Sequence, residues 1–233
     1  LNASQTATIT FSFSEDPGSS FSWDGSTGDL TVSGGSLSAI SGTGLTRTAT
    51  FTPAANSTTA AVISLASGTF SDAAGNLNAD GNDANNTLTL AVDTIPPTVA
   101  ITSDLASLNA SQTATITFSF SEDPGSSFSW DGSTGDLNVS GGSLSAISGT
   151  GLTRTATFTP AANSTTAAVI SLASGTFSDA AGNLNADGAD ANNTLTLAIN
   201  TRLFIDLSAI AAGSGGFVIN GQCANDWSGW SVA

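Results

Sequence analysis

The chain has 233 residues, with 18 acidic and 3 basic side chains, a net charge of −15 at pH 7 and no histidine. Such acidity repels phosphate and excludes nucleic acids and anionic lipids as partners, and no apolar run reaches the roughly 18 residues of a membrane span. All three cations are arginines. A serine nucleophile would therefore lack a His or Lys base, and we expect the protein not to be an enzyme.

Short β-branched and aromatic segments, separated by Gly, Pro, Asn and Asp clusters, run through the first 94 residues. In chain order, the predicted strands cover residues 6–13, 21–23, 30–32, 47–52, 61–65 and 87–92, and a further strand is predicted at 98–102. No segment keeps a helical period for long. We expect the core to contain the larger apolar side chains and their counterparts later in the chain: Phe11, Phe13, Trp23, Phe51, Ile63 and Phe70.

The sequence then repeats. Residues 1–94 align with residues 108–201 without a gap, and only four positions differ: Thr31/Asn138, Asn82/Ala189, Val92/Ile199 and Asp93/Asn200. About seven short strands in roughly 100 residues indicate an immunoglobulin-like sandwich. We therefore predict an all-β protein with two tandem immunoglobulin-like β-sandwiches. Residues 1–94 and 108–201 form the two repeats, residues 95–107 are a linker that includes the first strand of the second repeat, and residues 202–233 form a non-repeating C-terminal tail.

Repeat 1 begins after the position that its first strand would occupy, which leaves a sheet edge without a partner. Two interpretations follow. Either the sequence is a piece of a longer polypeptide whose boundary falls within a domain, or a strand from elsewhere completes the sandwich. The first is favoured, because the chain opens inside a repeat without an initiator methionine.

Several separated stretches resemble bacterial Ig-like repeats of giant surface adhesins: residues 92–104, 118–122, 141–144, 155–160 and 177–183. The resemblance covers residues 1–201 and implies a secreted, non-enzymatic protein built as a string of domains, many of which are rigidified by Ca²⁺. Residues 215–221 and 226–233 resemble the start of an FG-GAP repeat, the blade unit of integrin-α-like propellers. That resemblance implies a propeller downstream, whose calcium loop is not present in this sequence.

Oxygen-bearing side chains are candidates to bind calcium, which takes about 6–8 oxygen ligands. In an immunoglobulin-like sandwich, two of the loops lie at the end where the linker enters. Repeat 2 places Glu122 and Asp123 in one of these loops and Asp179 and Asn183 in the other, while Asp93 ends repeat 1 beside them. We predict that these five converge on one ion at the junction. The equivalent groups of repeat 1 are Glu15, Asp16, Asp72 and Asn76.

A second candidate lies further along the last loop of each repeat, where oxygen-bearing residues alternate before a glycine. Its acidic members are Asp80 and Asp83 in repeat 1 and Asp187 and Asp190 in repeat 2. The pattern is similar to the start of an EF-hand loop, but Thr87 stands where that motif has its acidic twelfth residue. A solvated Asn/Asp/Gly turn is the alternative interpretation, and it is favoured.

These patterns favour a structural role: an extracellular stalk or filament in a large bacterial surface adhesin, stiffened by calcium at its domain junctions. Its partners would be neighbouring Ig-like repeats and the downstream propeller. One alternative is a module that binds glycan, ice or another cell, since regular threonines on a strand match an ordered surface. Another is a self-assembling filament subunit that uses strand complementation with other copies of itself, in which residues 203–207 of the tail supply the strand.

Overall fold

In a computed structural model, the described residues are 1–79, 84–187 and 191–202. The tail from residue 203 onward, including the FG-GAP-like segments and the predicted donor strand, lies outside them. Repeat 1 contains six strands, which are β1 (Ala7–Ser12), β2 (Leu30–Ser33), β3 (Gly35–Leu37), β4 (Thr46–Pro53), β5 (Ala61–Leu65) and β6 (Thr87–Leu90). A single 3₁₀ turn, Ala84–Asn86, precedes β6.

The linker and repeat 2 contain eight strands: β7 (Val99–Ser103), β8 (Ser107–Asn109), β9 (Ala114–Phe120), β10 (Leu137–Ser140), β11 (Gly142–Leu144), β12 (Thr153–Pro160), β13 (Ala168–Leu172) and β14 (Thr194–Asn200). A 3₁₀ turn, Ala191–Asn193, precedes β14. The predicted all-β class with tandem sandwiches is confirmed.

Each repeat pairs two sheets. Repeat 1 has the three-stranded sheets β1-β4-β3 and β2-β5-β6, and repeat 2 has the four-stranded sheets β11-β12-β9-β7 and β10-β13-β14-β8. The fourth strand of each sheet in repeat 2 comes from the linker region. β7 runs antiparallel to β9, and the short β8 runs parallel to β14.

The core of each repeat lies between its two sheets, as the alternation of apolar residues along the strands dictates. Phe51 and Ile63 are buried in repeat 1, as are Phe158 and Ile170 in repeat 2. The other predicted core residues of repeat 1 (Phe11, Phe13, Trp23 and Phe70) are only half-buried and pack against the edge of its core. In repeat 2 the equivalents Phe118, Phe120 and Phe177 are buried, whereas Trp130 is half-buried like Trp23, so only the phenylalanines differ in burial between the repeats.

Two local predictions are wrong. Residues 21–23 form no strand: Trp23 makes only an isolated bridge to Gly28, and Phe21 turns inward as a core residue. Strands β3, β8 and β11 were not predicted. For β3 and β11 the reason is that glycine is depleted in strands. At Gly142 the missing side chain is what permits the strand, since a Cβ there would lie 2.4 Å from the Phe158 ring and 2.3 Å from a backbone oxygen.

A buried arginine organises one loop in each repeat. The Arg154 guanidinium donates hydrogen bonds to the carbonyls of Phe128 and Gly125 and lies 5.6 Å from the centre of the Phe120 ring. Its Nη2 also approaches the exposed carboxylate of Asp123 at 3.2 Å. Arg47 makes the equivalent contacts in repeat 1. These arginines therefore hold the loop against the aromatic edge of the core.

Candidate metal centre

Three carboxylates from separate parts of the chain meet at the junction between the repeats. Asp93 follows the last strand of repeat 1, Glu122 follows β9, and Asp179 lies in the loop between β13 and β14. One carboxylate oxygen from each lies within 4.8 Å of the other two. Among the residues that the structure describes, no other such cluster of three is found.

The Asp179 loop is a tight turn that its own side chains hold closed. Asp179 Oδ1 accepts the Asn183 backbone N–H at 2.9 Å, and Oδ2 accepts the Asn183 side-chain amide at 2.8 Å. Both residues are buried. The Asp179 carboxylate is therefore fixed in position before any ligand arrives.

Asn183 also joins the two repeats directly. Its side-chain amide donates to the backbone carbonyl of Asp93 at 2.9 Å, and its Oδ1 accepts the Ala3 backbone N–H at 2.9 Å. A third bond crosses the junction from the Asn2 side chain to the carbonyl of Ala181, at 3.0 Å. Asn183, predicted as a metal ligand, is thus placed beside the cluster with its amide oxygen already used in an inter-repeat hydrogen bond.

The cluster is electrostatically unfavourable without a cation. Partial burial raises the pKa of the Glu122 carboxyl above its ordinary value, and the neighbouring charges of Asp93 and then Asp179 raise it further. Three carboxylates this close repel one another. A divalent cation would relieve that repulsion.

The donor set fits a hard cation such as Ca²⁺. Calcium–oxygen distances of about 2.3–2.6 Å allow two ligands of one ion to lie up to roughly 5 Å apart, and the three carboxylate oxygens lie within 4.8 Å of one another. Asp93, Glu122 and Asp179 would hold the ion. Three carboxylates supply part of the 6–8 oxygens that Ca²⁺ takes, and water or backbone oxygens would complete the shell.

The other predicted ligands lie elsewhere. Asp123 and Asp16 are directed to Arg154 and Arg47, at 3.2 and 3.3 Å, because a buried arginine attracts the nearest carboxylate. Glu15 is exposed.

In repeat 1, Asp72 and Asn76 form the same hydrogen-bonded turn as their counterparts in repeat 2. The side-chain amide and then the backbone N–H of Asn76 lower the pKa of the Asp72 carboxyl. No described carboxylate stands there in the place that Asp93 takes at the junction. Counting back by the 107-residue offset between the repeats places the equivalent of Asp93 before Leu1.

The second candidate loop has a structural role in repeat 2. Asp187 is fully buried, and its Oδ1 accepts the Val99 backbone N–H at 2.7 Å while Oδ2 accepts the Asn185 amide at 2.8 Å. This carboxylate fastens the start of β7 to the sandwich, a contact between residues 88 positions apart that the local pattern could not reveal. The equivalent Asp80, together with Asp83 and Asp190, lies outside the described residues.

The fold and the junction define a class of protein: tandem β-sandwich repeats joined end to end through a short linker. A family model described as bacterial Ig-like domain matches residues 1–90 and again 93–198. The chain therefore belongs to the bacterial Ig-like domain family, which is typically non-catalytic and often extracellular. No curated protein matches the chain. Within the described ranges, no helix is both long enough and apolar enough to cross a membrane.

Proposed function

We propose that the chain is a secreted structural segment, a stalk or filament of a large bacterial surface adhesin, in which Ca²⁺ at the junction holds consecutive repeats in a fixed orientation. The observation that carries this proposal is the convergence of Asp93 from repeat 1 with Glu122 and Asp179 from repeat 2. A site shared by two domains couples metal binding to their relative orientation.

The junction combines features that favour order with one that opposes it. Direct hydrogen bonds cross it, and Pro96-Pro97 restricts the linker backbone. Electrostatic repulsion among the three carboxylates opposes the close contact of the two repeats. A bound cation replaces this repulsion with attraction and so stabilises the junction. Calcium sites of extracellular modules have dissociation constants of about 10⁻⁴–10⁻³ M, so the junction would stiffen outside the cell.

The end of repeat 2 differs in a way that supports the proposal. The residue equivalent to Asp93 there is Asn200, one of only four differences between the repeats. The position loses its charge where the following sequence, residues 202–233, no longer repeats. In the proposal, the partners of the chain are neighbouring Ig-like repeats and a propeller that begins with the tail.

Calcium titration of the full chain tests the proposal. We expect Ca²⁺ to raise the melting temperature and to reduce interdomain flexibility in small-angle scattering, with EDTA reversing both effects. Glu122→Gln removes one carboxylate, so it should raise the stability of the calcium-free protein at pH 7 and weaken the calcium response by about tenfold or more in concentration.

Glu15→Gln is the matched control, because it makes the same change at the exposed equivalent position in repeat 1. It should leave the calcium response unchanged. Equal calcium responses in the two variants, or a chain insensitive to both calcium and EDTA, would refute the calcium mechanism.

A further inference from the structure

An open depression lies in repeat 1 between the β1–β2 loop and the connection from β3 to β4. Its volume is about 460 Å³, within the range of about 300–1,000 Å³ that is usual for ligand pockets. The lining combines two half-buried apolar side chains with hydroxyls and a carboxylate. The apolar side chains are those of Trp23 and Ile40, the hydroxyls belong to Ser19, Ser22 and Thr27, and the carboxylate is that of Asp24.

The residues of this depression recur in repeat 2. A shift of 107 positions places an identical residue at every lining position. Trp130, Asp131 and Thr134 are buried or exposed to the same degree as Trp23, Asp24 and Thr27. Because repeat 2 contains β7 and follows another repeat, the accessibility of these residues depends neither on a first strand nor on a preceding domain.

One wall of the depression is a tryptophan held in a fixed orientation. Trp23 Nε1–H donates to the Leu37 carbonyl at 3.3 Å, and Trp130 makes the same bond to the Leu144 carbonyl. Each tryptophan is half-buried, so part of its surface remains accessible. A fixed indole presents a large apolar surface at little cost in conformational entropy, which suits the C–H face of a sugar ring.

A carboxylate beside this wall is fixed and charged. Asp24 Oδ1 accepts the backbone N–H groups of Ser26 and Thr27 at 2.8 and 2.7 Å, and Oδ2 accepts the Thr27 hydroxyl at 2.8 Å. The backbone N–H of Thr27 and then that of Ser26 lower the pKa of the Asp24 carboxyl, so it is ionised at neutral pH. An ionised carboxylate has about four acceptor positions. Asp24 can therefore also accept a hydrogen bond from a ligand hydroxyl.

A buried donor in the lining indicates what kind of ligand fits. Arg47 lines the depression and is 7% exposed, and its Nε–H has no hydrogen-bond partner among the described residues, as is also true of Arg154. Buried donors are nearly always paired, so this one favours a ligand that brings oxygen acceptors. Anionic acceptors are repelled, because Asp24 and Asp16 lie beside the arginine and the net charge is −15. Uncharged hydroxyl oxygens meet both conditions.

We propose that the depression binds a neutral saccharide of one or two sugar rings, and that repeat 2 carries a second such site at Trp130 and Asp131. The C–H face of the sugar lies on Trp23, and its hydroxyls donate to Asp24. This activity goes beyond a structural role. A stalk with one weak site in each repeat would bind a saccharide-coated surface through several sites at once, which raises its overall affinity.

Nuclear magnetic resonance of the full chain tests the proposal. The probes are the methyl glycosides of glucose, galactose, mannose and N-acetylglucosamine, titrated in the presence of EDTA. We expect saturable changes of chemical shift in residues 19–28 and 40–42, in residues 126–135 and 147–149, and in the indole N–H signals of Trp23 and Trp130. EDTA removes calcium, so the outcome is separate from that of the junction proposal.

Ser19→Leu places a bulky side chain in the depression of repeat 1 from an exposed position. It should weaken binding in repeat 1 by about tenfold or more, while the signals of repeat 2 still shift. Ser36→Leu is the matched control, because it makes the same change at an exposed serine outside the lining. It should bind as the parent does. Methyl glucuronide should bind more weakly than methyl glucoside, since it adds a negative charge beside Asp24.

Several results would overturn the proposal. One is the absence of saturable shifts with all four neutral probes. Another is equal binding to repeat 1 in Ser19→Leu and Ser36→Leu. Shift changes confined to Trp227 and Trp230 would locate binding in the tail, and tighter binding of the glucuronide would contradict the preference for an uncharged ligand.

Discussion

The largest predicted difference between the repeats concerns one phenylalanine and its equivalent. Phe118 and Phe11 occupy the same position, and each ring centre lies 5.6 Å from that of a partner, Phe128 or Phe21. They differ in what lies on the other side. Phe118 is fully buried opposite Ile101 of β7, whereas Phe11 is half-buried on β1, whose other edge no described strand covers.

Truncation to alanine should therefore have unequal costs. Replacing a fully buried phenylalanine by alanine lowers the free energy of unfolding by about 3–5 kcal/mol, and we expect this for Phe118→Ala. Phe11→Ala removes a side chain that is only half-buried, so we expect it to lower the free energy of unfolding by about half as much. For a domain of about 100 residues, 1 kcal/mol corresponds to a shift of about 4–8 °C. The respective transitions should then fall by about 12–40 °C and about 6–20 °C.

Differential scanning calorimetry of the full chain would resolve this, since each substitution identifies the transition of its own repeat. The control pair is Leu144→Ala and Leu37→Ala, because both leucines are 2% exposed and should lose equal stability. Equal losses for both the phenylalanine pair and the leucine pair would refute the idea that β7 accounts for the difference between the repeats.

Three further outcomes follow from local geometry. Gly141→Ala should lower the free energy of unfolding by about 3 kcal/mol or more, since φ is +77° and the new Cβ would lie 2.6 Å from a backbone carbon. Gly151→Ala is the control: φ is +76° but the position faces open space, so the same denaturant titration should show a loss of only about 1–2 kcal/mol. Asp187→Ala should lower the stability of repeat 2 by about 2–4 kcal/mol in urea unfolding, because it leaves the buried Val99 N–H and one N–H of the Asn185 side-chain amide unpaired. Asp187→Asn keeps an acceptor and should cost less. The backbone N–H groups of Thr134 and then Ser133 lower the pKa of the Asp131 carboxyl in the folded state. The ionised carboxylate therefore stabilises the fold above about pH 4, and this contribution is lost as the pH falls below that value. Between pH 6 and pH 2.5, the melting temperature of Asp131→Asn should fall less than that of the parent protein.

Much of the fold could be predicted from the sequence, because the signals that define it are local. The alternation of β-branched residues marks β1, β4, β5 and β7 to within a residue or two. The repeat of 94 residues with four differences defines two copies of one unit. By contrast, glycine-bearing β3 gave no strand signal, because its close approach to another strand depends on tertiary packing.

The candidate site was predictable in part. Loop topology placed Asp93, Glu122 and Asp179 at one end, and the structure brings these three together. Loop topology alone could not reveal that Arg154 attracts Asp123, or that the Asn183 amide oxygen accepts a hydrogen bond from the Ala3 backbone N–H. Both outcomes depend on distances between side chains remote in sequence. Likewise, a buried strand anchor such as Asp187 and a solvated turn have the same local composition.

The parallel pairing of β8 with β14 determines how repeat 2 would carry a mechanical load. Ser107, Leu108 and Asn109 lie opposite Ala198, Ile199 and Asn200. Tension enters the repeat through β7 and then β8, and it leaves through β14 at the back of the repeat. Because β8 and β14 run in the same direction, pulling on the chain ends slides them past each other along their axes. Their hydrogen bonds are then sheared together, instead of being unzipped one after another, and the rupture force is shared among them.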